Sequence, residues 1–475
     1  MSSSRRLLKN FGSLAVARVF SLAASLVSSI YLARVLGAES FGILGFGSAL
    51  LSFFSLIISQ GFDVFGTREI ARNNEKVQQL ANNILTMRLF LAVIIFGLYT
   101  IVIALIDKPA VVKAVLIVQG VSLFASAITL DWVYQGVERM GVIAIRQILT
   151  SAIGILAVVL LVHEATDAIW AAVAASGSLL LNAFWMLIRY LQDFKVFKLS
   201  FNWQLCQKII RASLPIAISS FMITIYYSMD TVMLGFIRTE EEVGWYTVAY
   251  KFLTVATVPV NIITQAFLPT LSNAYGNEVL MKQRATILAR VLLLIGVPIS
   301  ATGIVFAPEF IKLLYGSSYL AASSALMLLM VNVFFIYFNT VYGNPLVAWD
   351  QQKNQMYVIV AGGVTNVILN FLLIPKYGIE GAAFATLLSE VIVILGQSFL
   401  HYRMVHQLYI SILMRVMIAT FTSISIVMLW SKEYHIPLVI SLTIIAVLFM
   451  AMSLLLKVID INLLKKIFFQ RQVNG

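Results

Sequence analysis

The chain has 475 residues, 60% of them hydrophobic and 11% charged, with a mean hydropathy of +0.94 and a formal net charge of +12. A soluble domain carries about a quarter of its residues charged, so this composition excludes a water-soluble globular protein and points to a bilayer. The single cysteine, Cys206, excludes an internal disulfide. His163, His401, His406 and His435 have no metal-binding spacing, so no metal or cofactor is expected.

The first stretch, MSSSRRLLKNFGSLAVARVF, sets Arg5, Arg6 and Lys9 ahead of an apolar run too long for a signal peptide. It reads as a retained first helix. A spanning helix needs roughly 20 apolar residues. Runs of that kind recur at 11–32, 41–61, 84–106, 111–131, 142–162, 168–190, 213–235, 243–271, 287–307, 320–342, 356–375, 379–400, 411–430 and 436–456. The expected fold class is an all-α polytopic membrane protein of about 14 transmembrane helices, with both ends on one side.

Charge orients it. With the N-terminus inside, the inner segments and adjoining helix turns hold 24 Lys/Arg and 9 Asp/Glu, and the outer ones 7 and 10. The excess of cations is therefore a positive-inside signature and not a nucleic-acid footprint. The segment Leu191–Arg211 and the tail LLKVIDINLLKKIFFQRQ are basic on the inner side, suited to anionic headgroups. Outer loops are short, which argues against a membrane-embedded glycan polymerase and against enzyme activity in general.

An internal repeat is visible. ARVLGAESFGILGFG joins helices 1 and 2, and TVMLGFIRTEEEVGWYTVA joins helices 7 and 8; each has Leu-Gly, an acidic turn, then an apolar residue and Gly (Gly42 and Gly244). This fits parallel repeats: an N-lobe of helices 1–6 (1–190), a basic inner linker (191–212), a C-lobe of helices 7–12 (213–402), and helices 13–14 with a basic tail (403–475). Pro259 and Pro298 fall inside spans, where proline bends a helix.

Arg18, Asp230, Lys251 and Glu390 remain inside spans. A lone charge at the bilayer centre costs about 3 kcal/mol on insertion scales. Pairing relieves that, and so does facing water. Asp230 and Lys251 lie at similar depths on consecutive helices, so an ion pair is allowed. Asp230 also shares a face with Ser219, Tyr226 and Tyr227, and Lys251 with Thr247 and Thr254. Glu390 aligns with Thr386 and Gln397, and Arg18 heads a stripe of Ser21, Ser25 and Ser29 that fits close helix packing as well as a polar lining. Asn366 and Asn370 are one turn apart, Asn332 and Asn339 two turns apart. Arg88, Arg146 and Arg290 sit near inner helix ends, as anchors or as a cationic vestibule.

LARVLGAESFGILGFG, GFDVFGTREIAR, DWVYQGVERM, SMDTVMLGFIRTEEEVGWYTVAYKF and IPKYGIEGAAFATLLSE occur in this order. Together they resemble the Wzx-type polysaccharide flippases, which move O-antigen or capsule repeat units. That group lies in the MOP superfamily with the MATE drug exporters and the peptidoglycan-precursor flippase. The resemblance implies two six-helix lobes around a V-shaped cavity, with two further helices outside. It implies a lipid-linked oligosaccharide as substrate, membrane lipids and polysaccharide assembly proteins as partners, and a location in the inner membrane of a prokaryote. Arg18, Lys251, Arg146 and Arg290 would then meet the diphosphate, Asn366 and Asn370 the glycan cavity, and Asp230 and Glu390 a coupling proton or sodium ion. A MATE-type drug or cation antiporter and a peptidoglycan-precursor flippase are the alternatives. No Walker motif is present, so ATP hydrolysis by this chain is not expected.

Overall fold

The computed structural model describes residues 3–59, 61–195, 198–434 and 436–458; the basic tail beyond them lies outside the described residues. The chain divides into two compact units, Met1–Thr247 and Val248–Gly475. The described residues are almost entirely helical. The first unit contains α1 (Ser3–Ser59), α2 (Phe62–Arg72), α3 (Val77–Leu105), α4 (Ala110–Gly120), α5 (Ser122–Ile128), α6 (Asp131–Gly136), α7 (Met140–Leu161), α8 (Ala168–Phe194), α9 (Trp203–Ile237) and the start of α10 (Glu240–Ala256). The second contains α11 (Val258–Ser272), α12 (Glu278–Val305), α13 (Ala307–Leu314), α14 (Ala322–Ala348), α15 (Gln352–Val405), α16 (Ile410–Tyr434) and α17 (Leu438–Leu455).

Twelve helical stretches among the described residues are long and apolar enough to cross a bilayer. The sequence count of about fourteen takes the two longest, α1 and α15, as two crossings each. Their 57 and 54 residues reach roughly 80 Å at 1.5 Å per residue, against a hydrocarbon core of about 30 Å. Each is interrupted at a glycine, Gly37 (φ 73°) and Gly378 (φ 55°), where a side chain would be strained. Pro259 does not kink a continuous helix. The span breaks after Thr257, and the proline opens α11, where its missing N–H is harmless. Pro298 does lie inside α12.

Most of the linker expected at 191–212 is helical, because α8 runs to Phe194 and α9 starts at Trp203. Polar side chains of α3 clamp it. Asn83 Oδ1 accepts from Asn202 N (2.9 Å), Thr86 Oγ1 from Ser200 N (3.1 Å), and Gln78 donates to Phe194 O (2.8 Å). Asn202 in turn caps α9 by accepting from Leu205 N.

The repeated turns pack against each other. A Cβ added at Gly42 would strike the carbonyl oxygen of Glu240 and the backbone N of Gly244; one added at Gly244 would strike the carbonyl oxygen of Ala38. Three residues on, Gly45 faces Thr247 in the same way. The two helices thus cross at their smallest residues. Lys108 pairs with Glu240 beside this crossing (2.8 Å). Gly42→Val is expected to lower stability by about 3 kcal/mol, the upper range for overpacking. A thermal unfolding shift in detergent measures this against Gly97→Val, where an added Cβ meets nothing; equal shifts would refute the close crossing.

Candidate functional site

In the first unit, two of the segments quoted for the family resemblance fold onto each other. GFDVFGTREIAR forms α2 and DWVYQGVERM forms α6 and the turn after it. Gly66 lies under the Trp132 ring, Gly136 under Ile70, and Thr67 Oγ1 donates to Trp132 O (3.1 Å). This hairpin carries two acids that the sequence reading did not single out. Asp63 Oδ2 accepts from Arg88 Nη2 (2.9 Å), and Arg88, only 3% exposed, also donates to Thr129 O (3.2 Å). Asp131 takes Arg146 in a bidentate pair, 2.6 Å at both contacts. Arg88 and Arg146 are therefore neutralised in place, and the planar fork of Arg146 fixes α7 to the start of α6.

Ser21, one turn beyond Arg18, donates to Gln147 O (3.3 Å) and accepts from Ser151 Oγ (2.9 Å). The serine stripe at that level is a helix-packing seam between α1 and α7. Arg18 itself is exposed.

Asp230 is buried near the end of α9. Its carboxylate accepts a hydrogen bond from the phenol of Tyr246, which is also buried, and from Thr231 N (2.9 Å). The acid is thus held by a residue of the helix that carries Lys251, one turn before that lysine. Lys251 belongs to the second unit and is partly buried.

In the second unit the polar stripes meet one another. Glu390, 4% exposed, accepts at Oε2 from Asn339 Nδ2 (3.0 Å). Further along the same face Gln397 lies against Gly343, so the Thr386–Glu390–Gln397 stripe faces α14. Asn366 Nδ2 donates to Thr386 Oγ1 (3.3 Å) and Asn370 Nδ2 to Asn366 Oδ1 (2.9 Å). Both asparagines are fully buried; the Asn366–Thr386 bond joins the two halves of α15, and Asn370 supports Asn366 from one turn away. The outward-facing oxygens Asn332 Oδ1, Asn339 Oδ1 and Asn370 Oδ1 are buried without a donor among the described residues.

Of the cations expected around a diphosphate, Arg18 and Arg146 lie in the first unit, Lys251 and Arg290 in the second. Arg290 borders a pocket with Arg415 and Lys457, neither of which the spacing had marked.

The family model described as "Polysaccharide biosynthesis protein" matches residues 7–275, more than half of the chain, and the model "MatE" matches residues 215–372. A protein of Escherichia coli (strain K12) named "Putative O-antigen transporter" is 26% identical over 378 residues, covering 76% of this chain and 89% of that one. "Probable flippase AglR" of Haloferax volcanii is 35% identical over 169 residues, 34% of this chain and 35% of that protein. Two solved structures share the fold. "Lipid II flippase MurJ, inward closed conformation" aligns with a TM-score of 0.77 at 14% identity over 97% of this chain and 99% of that one. A multidrug resistance MATE family transporter of the MOP superfamily in an inward-facing conformation aligns with a TM-score of 0.65 at 16% identity over 81% and 95%. The molecule is thus an all-helical, multi-spanning membrane protein with the fold of MATE and MurJ transporters, and it belongs to the polysaccharide biosynthesis protein family.

Proposed function

We propose that the protein moves an oligosaccharide repeat unit, linked to undecaprenyl diphosphate, from the cytoplasmic to the outer leaflet. The observation that carries this reading is the polysaccharide biosynthesis match over residues 7–275. The physical need is plain: sugar hydroxyls and phosphates lose their water in hydrocarbon and cannot cross unaided. Arg18, exposed on α1, and Lys251 offer charge to the diphosphate. Arg146, locked to Asp131, acts on substrate only if that pair opens. Asp230 and Glu390 are buried carboxylates at which a proton or sodium ion couples to movement. The membrane is the inner membrane of a prokaryote, the cation bias supports both termini in the cytoplasm, and the unit is handed on to polysaccharide assembly proteins.

The MatE match over residues 215–372 favours a second reading, a drug or cation antiporter. Deletion of the gene separates the two. The flippase reading expects loss of surface polysaccharide with accumulation of the lipid-linked unit on the cytoplasmic face, and Arg18→Ala in the restored protein is expected to give the same defect at normal protein levels. Intact surface polysaccharide with new sensitivity to cationic drugs would replace it by the antiporter.

A further inference from the structure

The second unit carries a basic pocket that sets Arg290, one of the cations expected around the diphosphate, beside Arg415 and Lys457, which the transport reading does not use. Helices α12, α16 and α17 are joined by an apolar cluster of Ala301, Phe306, Ile424, Val427 and Ile445. These residues lie toward the C-terminal ends of α12 and α16 and the N-terminal half of α17. At the opposite ends the same three helices enclose a pocket of about 230 Å³. Its walls are Thr286 and Arg290 from α12, Gln407 before α16, Ser411 and Arg415 from the start of α16, and Lys457 just after α17.

Three cations converge on this pocket, and no carboxylate lines it among the described residues. None of Arg290, Arg415 and Lys457 makes an ion pair among the described residues. By contrast, Arg88 on α3 and Arg146 on α7 in the first unit each hold an aspartate. Three positive charges gathered without a counter-charge repel one another unless an anion joins them. The polar wall is built: Gln407 Nε2 donates to Thr286 Oγ1 (3.3 Å), and that hydroxyl donates to Lys282 O (2.7 Å). Lys457 is held in the left-handed region (φ 54°), an uncommon conformation for a residue with a side chain, and its N–H closes on Leu454 O (3.1 Å). The first turn of α16 has no acidic residue, and its free N–H groups add to the positive end.

The surroundings say what kind of molecule brings the anion. Met414 and Ile418 on α16, and Leu454 and Leu455 on α17, lie within three residues of Arg415 and Lys457 in the chain and are exposed apolar side chains. A headgroup anion in the pocket would leave its acyl chains beside exposed apolar side chains of these two helices.

We propose that this pocket binds a phosphate group, and that an anionic phospholipid supplies it as its headgroup. The inference is independent of the transported molecule, so it stands or falls without the flippase reading. The test uses the full-length protein in detergent, by native mass spectrometry and thermal unfolding, with added phosphatidylglycerol, phosphatidylcholine or inorganic phosphate. The wild type is expected to retain phosphatidylglycerol over phosphatidylcholine. The exposed-site double variant Arg415→Gln/Lys457→Gln is expected to lose that preference by about 30-fold, the share of two charges at a membrane surface. Equal retention of phosphatidylglycerol by variant and wild type overturns the site. Stabilisation by inorganic phosphate alone, lost in the variant and without lipid preference, keeps the phosphate site and overturns the lipid as its source.

Discussion

Glu390→Gln is expected to reduce glycan export by about 10-fold or more, the scale of a coupling free energy of a few kcal/mol, in a protein that still folds and inserts. The reason lies in what glutamine keeps. Its side-chain carbonyl still accepts from Asn339 Nδ2, the bond that Glu390 Oε2 accepts at 3.0 Å, so the α14–α15 seam survives. What it lacks is a charge that a proton or sodium ion can discharge. Glu390→Ala differs, because it strands the Asn339 amide and is expected to lose about 1–3 kcal/mol of stability as well. Surface polysaccharide, measured beside the unfolding temperature of each purified variant, separates the two effects. Export at the wild-type level by the glutamine variant would remove Glu390 from the coupling role.

Arg146→Ala is expected to cost about 3 kcal/mol or more of stability, because it leaves Asp131 largely buried with its bidentate partner gone. The companion variant Asp131→Leu/Arg146→Met is expected to recover most of that loss, since a buried ion pair exchanged for apolar side chains of similar size is often neutral. Denaturation midpoints of the three proteins in detergent make the comparison. A single variant with unchanged stability and abolished export would place Arg146 among the substrate-binding cations instead.

Much of the fold is legible in the sequence because the bilayer leaves few options for twenty apolar residues. The helix boundaries at Leu161, Ala168 and Leu455 lie within a residue or two of where hydropathy put them. The break at Gly37 follows from Leu-Gly at a helix end, but the contact between the repeated turns is not legible in the Gly42/Gly244 pattern, which marks only a repeat. Side-chain partners were not legible. Asp63 and Arg88 are 25 residues apart, and Glu390 and Asn339 are 51 apart; periodicity assigns each residue to a face but does not say which helix covers that face. The asparagine stripe reads as a polar lining for the same reason, whereas Asn366 bonds across the break in α15 to Thr386 and Asn370 bonds Asn366 one turn away; of the two readings open for the serine stripe, Ser21 takes the packing one, against α7. Arg415 and Lys457 look like ordinary inner-side anchors until α12, α16 and α17 bring them beside Arg290. The clamp of Asn83 and Thr86 on residues 200–202 was hidden because polar residues at a helix start look like nothing more than its wet end.

The meeting of Gly42 with Gly244 has an ancestral consequence. Each glycine admits the backbone of the other's turn, which is the reciprocity found across a two-fold axis between identical subunits. A forerunner of half this length, carrying one such turn, would present a surface complementary to its own twin. Fusion of two such copies would preserve the contact inside a single polypeptide, and thereafter neither glycine is at liberty to change alone.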